Sequence, residues 1–202
     1  MSVIKKKITS VLVWILSLAV LAGALCFACF FVRDKKVKMD QLDDLLYNGD
    51  EFSAEIREAA EKYQLPPELV KALIRKESRF NPKTRGKAGE IGLMQILPKG
   101  AVAEWARLHK CKAPSEKELF EVKTNLDIGC WYLARAIKRW QDYRFGLELA
   151  LADYNAGTKH AARWKPEKTN GEVLNRIDFP MTRKYVTDIM GYYREYILEK
   201  KR

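Results

Sequence analysis

From Glu51 onward apolar residues recur at every third or fourth position, and no run alternates with the two-residue period of a strand. A chain patterned this way buries its apolar surface by packing helix on helix, so the expected fold class is mainly α. Phe52, Ile56, Ala59, Ala60 and Tyr63 make a first amphipathic face. Pro66 and Pro67 open a second helix, because proline suits a first turn and not an interior. Leu69, Val70, Leu73 and Ile74 form its face, and Asn81-Pro82 closes it, since the residue before proline avoids the helical region. A turn-rich loop with Gly86 and Gly89 leads to the short apolar segment from Gly92 to Leu97. Pro98 starts a helix through Val102, Trp105 and Leu108, and Ser115 to Glu118 reads as a capping box. Asn125 to about Tyr143 is expected to be the longest of these helices. Phe145 to Tyr154 is another, ended by Asn155-Ala-Gly157, and Met181 to Glu199 closes the chain after a mostly irregular Trp164 to Pro180.

On the face made by Leu69, Val70, Leu73 and Ile74, the next position is Glu77, while Lys71, Arg75 and Lys76 lie off it. Burying a carboxylate costs several kcal/mol unless it is paired or protonated. Desolvation raises its pKa above the unperturbed ~4.3. An acid still protonated near neutral pH is what general acid catalysis requires. Periodicity alone fits, more simply, a rim glutamate bonded to an arginine or a loop amide at a helix end.

Residues 1–10 form a basic tail with Lys5, Lys6 and Lys7, and residues 11–32 carry no charge. Those 22 residues would span roughly 33 Å as a helix, enough for the hydrocarbon core. With no polar stripe, the run reads as a single transmembrane signal anchor, and residues 33–50 as a polar tether to a domain over residues 51–202. The alternative is a cleaved signal peptide, with Ala22-Gly-Ala24 as the cleavage site, although Leu25 to Val32 beyond it stay apolar. Neither Cys26 nor Cys29 combines a leucine three positions upstream with a small residue just before it, so lipidation is not expected. Three lysines before the run and Arg33, Lys35, Lys36 and Lys38 after it leave the orientation open.

The net charge is +11, of which residues 1–38 hold +6. That flank suits anionic headgroups. The modest remainder suits an anionic polymer such as a cell wall and supplies neither the basic patch nor the motif of a nucleic-acid binder. Beyond residue 50 the cysteines are Cys111 and Cys130, with no second pair at metal spacing, so neither a metal nor a cofactor is implied. In an oxidising compartment the two could close a disulfide worth roughly 3 kcal/mol; otherwise Cys130 is a small core thiol. His109 and His160 are isolated and read as surface residues.

Glu77-Ser78, followed by a glycine-rich turn into Gly92-Leu93-Met94-Gln95, resembles the catalytic motif of lytic transglycosylases of the soluble (SLT) type, relatives of goose-type lysozyme. Three further blocks agree in order. Asn125 to Leu133 is similar to the family's central helix, Ala150 to Gly157 to its A-x-Y-N-A-G motif, and Thr182 to Ile189, more weakly, to its last block. The resemblance covers about residues 51 to 200 and implies a lysozyme-like fold acting on peptidoglycan glycan strands. The domain would then lie on the extracytoplasmic side of the inner membrane.

Ordinary glycosidases use two carboxylates, whereas the resemblance implies one. Glu77 would protonate the oxygen between N-acetylmuramic acid and N-acetylglucosamine, the 2-acetamido group would stabilise the developing positive charge, and Glu77 would then take the proton of the 6-hydroxyl that attacks the anomeric carbon. The product is a 1,6-anhydro end. By the same resemblance Ser78 touches the acetamido group, Met94 and Gln95 line the cleft, Tyr154 orients the Glu77 carboxyl, Asn155 bonds substrate and Tyr185 faces the cleft. The bland readings are a serine bonded to backbone, a core methionine and an asparagine that ends a helix.

Two positions depart from the family pattern. Met181 stands where a glutamate usually precedes the threonine, and Asp153 stands where a small residue usually precedes the tyrosine. Asp153 is expected to be a solvated charge beside the cleft, or a second carboxylate holding a water for hydrolysis. The alternatives to a transglycosylase are a lysozyme-like muramidase and a non-catalytic wall-binding module. Against the module, a binder has no use for an acid at residue 77 or for the Tyr154-Asn155 motif.

Overall fold

The helical period is realised as eight α-helices in the computed structural model, which describes residues 51–201. The tail, anchor and tether expected over residues 1–50 lie outside the described residues. The helices are α1 (Ser53–Lys62), α2 (Pro67–Ser78), α3 (Ala103–His109), α4 (Glu116–Leu119), α5 (Val122–Trp140), α6 (Gly146–Ala156), α7 (Thr158–Trp164) and α8 (Pro180–Glu199). A π-helical turn, Pro98–Val102, leads into α3, and a 3-10 turn, Leu174–Arg176, precedes α8. No helix among the described residues is long and apolar enough to cross a membrane.

Helix α5 is the axis of the packing. It is buried on most of its circumference, through Leu126, Ile128, Cys130, Leu133 and Ala136, so its neighbours enclose it. Helices α6 and α1 pack against it, while α8 packs against α2 and α6. Gly129 is required where α5 meets the loop after α2, because a Cβ there would fall 2.4 Å from Met94 Sδ. The Ser115 cap forms as read: its hydroxyl accepts from the Glu118 N–H, and the Glu118 carboxylate accepts from the Ser115 N–H.

Several expectations are corrected. Among the described residues the longest helix is α8, of 20 residues, and not α5, of 19. Helix α5 stops at Trp140, whose carbonyl accepts from the Tyr143 N–H at 3.1 Å in the turn that follows, and Gly146 packs so closely on that carbonyl that a Cβ would lie 2.1 Å from it. Helix α7, of seven residues, is too short to show a period and went unread. Leu108, expected on the apolar face of α3, is 47% exposed. The two cysteines are free. Cys111 is exposed just past α3, while Cys130 is enclosed with its Sγ 3.9 Å from Met94 Sδ, so the disulfide is not formed. Burial pushes the Cys130 thiol up to about 12, as expected for an inert core thiol.

Candidate active site

Glu77 occupies the last turn of α2, whose Leu69, Val70, Leu73 and Ile74 are at most 2% exposed. The helix ends abruptly after it. Arg79 (φ 52°) and Phe80 (φ 62°) both take left-handed backbone, which costs residues with side chains roughly 1–2 kcal/mol each. Phe80 is 2% exposed, and burial of its ring offsets that cost.

The following loop is folded back on itself by isolated bridges from Ile91 to Arg85 and to Ile96. Asn125, from α5, anchors it. Its Oδ1 accepts from the Met94 N–H at 2.8 Å, and its Nδ2 donates to the carbonyls of Ile91 and Leu119, each at 2.8 Å. Gly92 (φ 79°) leaves room for that amide, since a Cβ would lie 2.2 Å from Asn125 Nδ2. Asn125→Ala leaves the Met94 N–H and the Leu119 carbonyl without partners, at about 1–3 kcal/mol each, while the Ile91 carbonyl keeps the Ile96 N–H. Thermal unfolding of that variant should show a loss of at least about 2 kcal/mol, and a loss below about 1 kcal/mol would mean that the loop is held elsewhere.

Between this loop and α6 lies a cleft of about 430 Å³ whose walls include Glu77, Glu90, Gln95, Tyr132, Tyr154 and Asn155. Gln95 (φ 47°) donates from Nε2 to the carbonyls of Thr84 at 3.0 Å and Gly92 at 2.9 Å, so its amide is fixed to the loop. Asn155 is exposed and accepts from the Thr182 hydroxyl at 2.8 Å, which ties α6 to the start of α8. Tyr132 and Tyr154 meet edge to face at 5.4 Å between centroids.

Tyr185 is 5% exposed and donates its hydroxyl to Glu77 Oε1 at 2.5 Å. The partner of the carboxyl is therefore Tyr185. Tyr154, expected in that role, donates instead to the Met94 carbonyl at 2.9 Å. Ser78 and Met94 lie behind the cleft wall. The Ser78 hydroxyl donates to the Ile74 carbonyl at 3.2 Å, and Met94 is fully buried.

Burial pushes the Glu77 carboxyl up to about 7, against the hydrogen bond from Tyr185 and the charge of Lys76, which act in the opposite sense, while Glu90 adds to the rise. Lys76 is itself paired with Asp188 at 2.7 Å. Burial, and then the charge of Glu77, hold both the Tyr154 and Tyr185 phenols well above their ordinary value, so both remain hydrogen-bond donors.

Asp153 is corrected on both counts. It is 1% exposed, and its carboxylate is bonded to Arg139 Nη1 at 2.7 Å, Trp140 Nε1 at 2.8 Å and the Thr158 hydroxyl at 2.8 Å. It is a core ion pair with no access to a cleft water. Met181 is 79% exposed at the start of α8. Sequence reasoning missed Glu90, Tyr132 and Asn125 as site residues. Asn125 carried a signal, as a polar side chain in the buried register of α5.

A transglycosylase SLT domain model matches residues 54–176 of the chain. Membrane-bound lytic murein transglycosylase E of Buchnera aphidicola is 36% identical over 173 residues, which cover 82% of this chain and 73% of that protein. The soluble lytic murein transglycosylase of Escherichia coli K12 is 29% identical over 150 residues, 68% of this chain and 22% of that one. Among solved structures, an inactive variant of lytic transglycosylase Slt from Pseudomonas aeruginosa matches with a TM-score of 0.67 at 25% identity, covering 78% of this chain and 25% of that one. The chain thus spans about a quarter of the length of the soluble relative and of the solved structure.

Proposed function

The chain belongs to the transglycosylase SLT family, and on that premise we propose that it is a peptidoglycan lytic transglycosylase with Glu77 as acid and then base. The observation that carries this reading is a carboxyl pushed up to about 7 by burial at the wall of a cleft, with Tyr185 donating to its Oε1. In the first step the protonated Glu77 gives its proton to the glycosidic oxygen between N-acetylmuramic acid and N-acetylglucosamine. In the second, the Glu77 carboxylate takes the proton of the 6-hydroxyl as that oxygen attacks the anomeric carbon. A group that must donate and then accept works best with a pKa near the operating pH. Gln95 and Asn155 would contact the sugars from opposite walls, with Tyr132 and Tyr154 offering aromatic surface between them. Ser78 and Met94 would act by shaping the wall.

The product distinguishes this reading from its alternatives. Digestion of purified peptidoglycan by the full chain should release muropeptides lighter by one water than reducing-end fragments, as read by mass spectrometry. Binding without release would favour a wall-binding module.

A hydrogen bond to the ionised form favours that form, so removing the Tyr185 hydroxyl should raise the Glu77 pKa further. Because the acid must be protonated, the wild-type rate should fall as pH rises through about 7. Tyr185→Phe should move that alkaline limb of kcat/KM upward and lower the rate at pH 5 about tenfold through lost orientation. A limb that does not move would disconnect Tyr185 from the acid.

For the remainder of the chain we read residues 11–32 as an uncleaved signal anchor in the inner membrane, with residues 51–202 on the extracytoplasmic side. The support is the 22-residue uncharged run and a substrate that lies outside the cytoplasm. Retention of the full mass in washed membranes, with the domain open to protease from the outer face, is the expected result.

A further inference from the structure

Among the described residues that line the cleft, two are carboxylic acids, Glu77 and Glu90. The loop is built around the second of them. Glu90 Oε2 accepts from the Ala88 N–H at 3.0 Å, and the Glu90 carbonyl accepts from the Gly86 N–H at 2.8 Å. The Glu90 and Gln95 side chains close over Gly86, so that a Cβ there would lie 2.1 Å from Glu90 Oε2 and 2.9 Å from Gln95 Oε1 and would push both aside. Gly89 (φ 93°) supplies the left-handed backbone of the turn. One carboxylate oxygen is therefore seated on the loop, while Oε1 has no hydrogen-bond partner among the described residues. The single-carboxylate chemistry gives this group no task, and Asp153, the other candidate for a second carboxylate, is sealed in its ion pair.

Resting on the reading of Glu77 as the acid, we propose that Glu90 is a second catalytic carboxylate, which holds a water against the anomeric carbon so that a share of cleavage ends in hydrolysis. Two carboxyl groups on the walls of one sugar cleft, one with its proton affinity raised by burial and one partly exposed, are the kinds of group that an inverting glycosidase uses as acid and base. That the charge of Glu90 adds to the proton affinity of Glu77 agrees with their sharing the site. In the hydrolytic branch Glu77 gives its proton to the departing glycosidic oxygen as the bond to the anomeric carbon breaks. The water oxygen bonds to that carbon and its proton passes to Glu90. Exchange with solvent then returns Glu77 to the acid form and Glu90 to the carboxylate. The product is a reducing end that contains one added water. In the other branch the 6-hydroxyl reaches the carbon first and no water is added.

The test is digestion of peptidoglycan by the full chain in ¹⁸O-labelled water, with mass spectrometry of the released ends. Wild type should yield anhydro ends together with ¹⁸O-labelled reducing ends. Glu90→Gln, which keeps an acceptor for Ala88, should lower the ratio of labelled to anhydro ends at least tenfold. Gly86→Ala, which displaces the Glu90 carboxylate and leaves the residue in place, should lower the same ratio, with circular dichroism melts showing both variants folded. Anhydro ends alone from wild type, or an unchanged ratio in folded Glu90→Gln, would overturn the role of Glu90 and leave Glu77 as the acid. Release of no sugar by wild type would overturn both assignments.

Discussion

Glu77→Gln is expected to lower the release of soluble muropeptides at least ~10³-fold while making the folded domain more stable above pH 7. The first effect follows from removing the one group that both donates to the leaving oxygen and accepts from the attacking hydroxyl, since positioned general acids and bases contribute roughly 10²–10⁴-fold each. The second follows from linkage. The Glu77 carboxyl rises from an ordinary 4.5 to about 7 on folding because burial penalises its charge. Between those values the native state binds more protons than the unfolded chain, so the contribution of this group is complete below about 4.5 and is lost as pH rises through about 7. A glutamine carries no such penalty. The variant should therefore gain on the order of 3 kcal/mol relative to wild type between pH 5 and pH 8, a rise in Tm of roughly 5–10 °C. Melting curves at the two pH values, beside a muropeptide assay, check both effects. Equal melting of the two proteins at both pH values would mean that Glu77 is an ordinary ionised carboxylate, which would remove the basis for its acid role.

Asp153→Ala is expected to have the largest effect on folding, a loss of about 3–5 kcal/mol, because breaking a buried pair leaves its partners uncompensated. The Trp140 indole N–H and the Thr158 hydroxyl lose their acceptor, and the Arg139 guanidinium, about a third exposed, turns to solvent. The links run from α6 back to the end of α5 and forward into α7, so the variant should unfold at lower denaturant throughout this region. Its products, measured at a temperature where it is still folded, should be the same as those of wild type. A changed product with unchanged stability would place Asp153 at the chemistry after all.

Residues distant in the sequence carry much of this site, which is why only part of it was legible. The helices from Ser53 to Ser78 and from Val122 to Trp140 followed from apolar spacing, because burying one face is a local pattern with a fixed period. Helix α7 did not, since seven residues hold too little periodicity and depend on the packing of Trp164. Glu77 was legible as a carboxylate in an apolar register, and its raised pKa followed from the same desolvation argument. Its partner was misread. Tyr154 and Tyr185 both stood in recognised blocks, and nothing local distinguished the tyrosine that meets the carboxyl from the one that meets the Met94 carbonyl. Asp153 was misread for a related reason: a charge beside a motif looks solvated until its three donors converge on it from α5 and α7.

The sequence by itself determined a helical domain, an acid in an apolar register and an uncharged run long enough to cross a bilayer, because these are properties of spacing and composition. Only the tertiary structure decided that Tyr185, 108 residues away, supplies the hydrogen bond to Glu77, that Asp153 is structural and that Glu90 shares the cleft. Hydrogen bonds and pKa shifts depend on distance and on the exclusion of water, and both are set by how α2, α5, α6 and α8 close on one another.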